Sequence, residues 1–152
     1  MSKALGYLGI AKKSGSLALG ETNSGTAVRA GKGRVLLLAS DASPNARHRA
    51  EGFVNGTQTP LVVLPYTKAE LSAATGTGGC SMAVFTDVGL AAVFMAALAS
   101  SEPAFTNTAQ LLAARNEKAL KRKREAAVHR KKMSAGRSSV GKAAQGKRRN
   151  KQ

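Results

Sequence analysis

The residues whose types and spacing could do chemistry sit together at Gly20-Glu21-Thr22-Asn23-Ser24-Gly25-Thr26. A glycine placed where a helix starts lets backbone N–H groups approach an anion with no Cβ in the way, and the helix dipole favours negative charge there. Thr22, Asn23, Ser24 and Thr26 can all hydrogen-bond, and an Asn amide can donate and accept at one base edge at once. Lys12, Lys13, Lys32 and Arg34 lie nearby in sequence and can neutralise phosphates. This is the chemistry of holding a polyanion. The competing reading of the same residues is a solvated loop.

Other chemistries find less support. The single cysteine, Cys80, and two histidines far apart in sequence, His48 and His129, give no metal-ligand spacing. Cys80 and His48 could meet only through the fold, and a lone thiol beside glycines is more often structural than catalytic. The run Gly76-Thr77-Gly78-Gly79 imitates a phosphate loop but lacks the Lys-Ser/Thr that would complete it, so a flexible turn is favoured. Asp41 and Asp87 follow hydrophobic runs where α/β enzymes place acids, yet both read first as turn or cap residues. No enzyme, metal or cofactor is expected.

The elements that must position these residues follow from hydrophobic pattern. "RVLLLAS" at 34–40, "PLVVLPY" at 60–66 and "SMAVFTD" at 81–87 are continuous aliphatic runs, as strands covered on both faces require. Leu17–Leu19 adds a short strand. Helices fill the gaps. Ser2 can cap the first, which presents Ala4, Tyr7, Leu8 and Ala11. Ser43-Pro44 opens another, with Ala46, Ala50, Phe53 and Val54 on one side. "TKAE" at 67–70 matches a capping box, and Asp87 can cap a helix over 88–98. The helix over 21–30 is the weak member: Gly25 costs it about 1 kcal/mol relative to alanine, and only Ala27 and Val28 anchor it. Its sequence therefore answers to something besides helix stability. The alternation predicts an α/β/α sandwich of three layers around a mixed central sheet.

Charge divides the chain. Residues 1–98 hold nine Lys/Arg against five Asp/Glu, a net of +4, and residues 99–152 hold fifteen against three, a net of +12. We expect a domain over 1–98, a linker over 99–108, and a basic tail over 109–152 that is largely disordered or transiently helical. One cysteine fits a reducing compartment, and no apolar run is long enough to span a bilayer, so a cytoplasmic monomer with no membrane partner is expected.

"LGIAKKSGSLALGETNSGTAVRAGKGRVLLLASDASPNARHR", followed by "PLVVLPYTKAEL" and "MAVFTDVGLAAVF", resembles the ribosomal L-seven-Ae / L-thirty-e family over about residues 4–98. The resemblance implies a three-layer sandwich that binds kink-turn RNA, a bent duplex with tandem sheared G·A pairs. It puts base contacts on Gly20, Glu21, Thr22, Asn23 and Thr26, and a second loop over Gly76, Thr77, Gly78, Gly79 and Cys80 against the loop nucleotides. Two positions depart from the pattern. Thr26 stands where the family commonly has lysine, with Arg29 one turn on as a substitute, and "TGGC" stands where the loop often carries aliphatics.

The expected function is therefore non-enzymatic binding of structured RNA, with ribosomal RNA or the ribosome as partner and the tail adding phosphate contacts. The alternative is a non-specific nucleic-acid or protein-interaction module dominated by the tail.

Overall fold

A computed structural model describes the backbone of residues 3–78 and 81–151, with side chains through 133. The elements are α1 (Lys3–Lys13), β1 (Leu17–Leu19), α2 (Glu21–Arg29), β2 (Val35–Leu38), α3 (Pro44–Val54), β3 (Leu61–Val63), α4 (Lys68–Thr75), β4 (Met82–Phe85), α5 (Val88–Ser101), a 3-10 turn (Pro103–Phe105) and α6 (Thr106–Lys151). The strands form one mixed sheet in the order β1-β4-β2-β3. β4 runs antiparallel to both neighbours, while β2 and β3 are parallel.

The sheet is covered on both faces, which is why its strands are aliphatic without alternation. Val35 and Leu37 of β2 and Phe85 of β4 face α1, α4 and α5. Leu36 and Leu38, with Met82 and Val84, face α2 and α3. All four β2 residues are buried, and each such aliphatic side chain contributes about 1.5–3 kcal/mol relative to exposure. Phe85 and Phe94 meet at 5.2 Å between ring centroids, joining sheet to α5. This is the three-layer architecture expected from the sequence.

The caps are those that the side-chain types foretell. Ser43 accepts from the Ala46 N–H at 3.1 Å with Pro44 at the first helical position. Thr67 and Glu70 form both halves of a capping box. Asp87 accepts from the Leu90 N–H at 3.3 Å. Asp41 accepts from the Lys68 N–H at 2.8 Å, tying the exit of β2 to the start of α4. The proposed cap Ser2 lies outside the described residues.

Two compact units divide the chain, Met1–Asn116 and Glu117–Gln152. The first runs past residue 98, where the sequence set the edge of the domain. Residues over 99–108 are in the last turn of α5, the 3-10 turn and the start of α6, and Ala109 and Leu112 are buried in the core with α1 and α5. The segment from residue 109 to Lys151 lies within α6. No helix among the described residues is long and apolar enough to cross a membrane.

Candidate nucleic-acid interface

The Gly20 turn stands at one end of the sheet. β1 ends at Leu19, and the Gly20 N–H donates to the Met82 carbonyl at 2.9 Å, which pins the turn to the start of β4. Gly20 adopts φ 85° and ψ 165°, a conformation open essentially to glycine alone. No side chain caps α2, so the N–H groups of its first turn have no partner within the helix or from a cap. A Cβ built on Gly20 would meet nothing within 4 Å, so it is the backbone conformation and not crowding that demands glycine there. Unpartnered donors and the helix dipole coincide here.

The side chains of the first two turns sort by face. Thr22, Asn23, Thr26 and Arg29 are exposed, with Thr22, Thr26 and Arg29 along one stripe. Asn23 donates from Nδ2 to the Leu19 carbonyl at 3.0 Å, which holds its amide across the turn. Thr26 donates from Oγ1 to the Thr22 carbonyl at 2.9 Å, and its hydroxyl oxygen can still accept. Glu21 is paired with Arg49 of α3, which offsets its charge beside the helix N-terminus.

Ser24 departs from the expected set. It is fully buried, and its hydroxyl has no hydrogen-bond partner among the described residues, so it faces the protein rather than a ligand. Gly25 is also explained from within. A Cβ there would lie 2.8 Å from Cε1 and Cζ of Phe53, so α2 gives up helix propensity to let the α3 ring pack against its backbone. The same ring lies under the Arg29 guanidinium, 5.7 Å from its centroid. Sequence reading missed Phe53 as the partner of both residues. The signal available was an aromatic on the apolar face of α3 opposite a mid-helix glycine.

The second loop approaches the same sheet end. Gly76 closes α4 in the left-handed conformation, φ 72°, with its N–H donating to the Ser72 carbonyl at 2.8 Å. Lys12 reaches this loop from α1, its Nζ 3.7 Å from where a Gly76 Cβ would sit. Thr77 is half-buried and Gly78 exposed, while Gly79 and Cys80 lie outside the described residues. The loop rejoins the sheet where the Ser81 carbonyl accepts from Ala39, one residue before the Met82 carbonyl that holds Gly20. The two segments expected to contact RNA thus flank the start of β4.

The remaining cations are elsewhere. Lys32 and Arg34 precede β2, and Arg34 donates its N–H to the Phe85 carbonyl at 2.7 Å, at the end of β4 opposite Met82. Four residues of strand put them about 13 Å from the Gly20 end. Lys13 is exposed at the end of α1, and the Ser16 carbonyl just beyond it accepts from Thr86, again at the far end. Nearness in sequence is undone by strand direction, because α2 carries the chain along the sheet before β2 begins. Among the described residues no group of three or more His, Cys, Asp or Glu is placed to hold a metal ion.

Fold and interface together define an α/β/α sandwich with an uncapped, glycine-led helix and a basic helical extension. No family model matches the chain, and no curated protein matches it in sequence. Two of the solved structures that share the fold illustrate the likeness. A protein of unknown function from Bacillus halodurans is similar with a TM-score of 0.60 at 24% identity, over 64% of this chain and 98% of that one. The Giardia lamblia 15.5kD RNA binding protein is similar with a TM-score of 0.52 at 17% identity, over 65% of this chain and 84% of that one.

Proposed function

We propose that this chain is a non-enzymatic RNA-binding protein that recognises a sharply bent, kink-turn-like element in ribosomal or ribosome-associated RNA. The observation that carries the reading is the uncapped N-terminus of α2, where amides without helix or cap partners stand beside exposed Thr22, Asn23 and Thr26. A ribose-phosphate backbone that bends sharply brings phosphates and base edges within reach of one helix end, and such an end supplies both dipole and donors. The RNA-binding neighbour of the same fold supports the partner class. The resemblance to the L-seven-Ae / L-thirty-e family supports the kinked element. Thr26 in place of lysine removes a charge-assisted contact, so discrimination falls on the amides and on Asn23.

Titration of a kink-turn RNA against a straight duplex of equal length, at several salt concentrations, tests this reading. The intact chain is expected to prefer the kinked RNA at least tenfold, or about 1.4 kcal/mol. Asn23→Ala should remove most of that preference and leave the salt dependence unchanged, since the side chain is neutral. Equal affinity of the intact chain for both RNAs would refute kink recognition.

A second reading has its own support in the charge distribution. Residues 117–152 hold fourteen of the 24 Lys/Arg against two of the eight Asp/Glu, enough for tail-driven binding to any polyanion. In that case Asn23→Ala changes nothing measurable in the same titration.

A further inference from the structure

Residues 117–133 of α6 carry eight Lys/Arg against two Glu, a net of +6, and all eight cations are exposed. Their arrangement around the helix is informative. At about 100° per residue, Lys121 and Lys132 share one direction, Lys123 and Arg130 lie about 180–200° away, and Arg124 and Lys131 lie about 280–300° away. Lys118 and Arg122 fill the arc between the first two directions. Cations therefore point to every side.

The large apolar residues form no unbroken stripe. Leu120, Val128 and Met133 are exposed; Leu120 and Val128 lie about 80° apart around the axis with Arg124 pointing between them, and Met133 lies about 140° from each. A helix that lies on a membrane needs one apolar face, and a helix that pairs with another needs apolar residues recurring every three or four positions. Leu120 and Val128 are eight residues apart with Lys123 and Arg124 between them. Neither partner fits.

A single anionic surface fits little better. A helix with its side chains is about 10–12 Å across, more than the screening length of about 8 Å at physiological salt. Cations on the side away from such a surface would be largely screened from it. They would still repel one another, as Lys118 and Arg122 do at i,i+4 and Lys121 to Arg124 do in succession. The ion pairs among the described residues, Arg47 with Glu51 and Arg49 with Glu21, involve none of these cations.

We infer that the helix over 117–133 is enclosed by RNA, with phosphates on at least three sides, as in a deep groove or between two RNA segments. This rests on the RNA-binding reading above and extends it from the sandwich to the tail. Each direction carries a cation because each direction faces phosphate.

Three full-length variants test this, each neutralising one direction: Lys121→Gln with Lys132→Gln, Lys123→Gln with Arg130→Gln, and Arg124→Gln with Lys131→Gln. The probe is folded large-subunit ribosomal RNA, titrated over a range of KCl. All six positions are exposed, so the sandwich should keep its melting temperature. Each pair is expected to reduce the slope of log K against log salt by a similar amount, about 1.4 for two cations at about 0.7 each. Loss confined to one pair would show one-sided contact and overturn enclosure, leaving RNA binding intact. Three unchanged slopes would show that the helix touches no RNA and would overturn it equally. Failure of the intact chain to bind RNA at all is a different result, and refutes the proposed function itself.

Discussion

Gly25 separates two explanations of the same residue. In sequence a glycine inside α2 reads as a concession to a ligand, whereas in the fold its missing Cβ makes room for Phe53. The two predict opposite outcomes for Gly25→Ala. Alanine brings better helix propensity by about 1 kcal/mol, but a Cβ at 2.8 Å from an aromatic ring forces the ring to move. Overpacking of this kind costs about 1–3 kcal/mol. The expected result is net destabilisation in urea unfolding, with Arg29 losing the ring beneath it. Full stability with weakened RNA binding would return Gly25 to the ligand. Gly20 is the contrasting case, because open space lies around it and only its backbone conformation demands glycine.

At the scale of elements, two adjacent leucines of α6 make the argument. Leu112 is buried with α1 and α5, while its neighbour Leu111 is exposed. Leu112→Ala should lower the unfolding free energy by about 2–4 kcal/mol, as deletion of a buried aliphatic does. Leu111→Ala should fall within about 0.5 kcal/mol of the parent. Chemical denaturation of the two variants checks this, and equal effects would mean that α6 does not dock through one face. These leucines also mark how much the sequence discloses. The four strands, the covered faces and the caps at Ser43, Thr67 and Asp87 were legible because each depends on a local pattern of a few residues. The docking of Ala109 and Leu112 was not, since two apolar residues at the head of a basic segment give no local signal of what they meet. The site divides in the same way. A glycine at a helix start could be read directly, but the separation of Lys32 and Arg34 from Gly20 follows from strand direction, and the burial of Ser24 from packing.

Over the whole molecule, most of the charge lies in one stretch of chain, and the proposed selectivity rests on another. Residues 1–116 hold ten Lys/Arg against six Asp/Glu, a net of +4, and residues 117–152 hold fourteen against two, a net of +12. Phosphate neutralisation scales with the cations engaged, whereas discrimination between RNA shapes needs groups held in fixed geometry, such as the Gly20 amides and the tethered Asn23. Deleting 117–152 spares Ala109 and Leu112 and so should leave the sandwich folded. With the six cations of 117–133 tested above all engaging phosphates, the deletion should reduce the magnitude of the salt slope by about 4.2 or more. Overall affinity then falls steeply at physiological salt, while the ratio of kinked to straight RNA affinity stays near that of the intact chain. Both quantities come from one set of titrations. A ratio that collapsed to unity, with the fold retained by circular dichroism, would move the selectivity into the tail and leave the sandwich without a part in recognition.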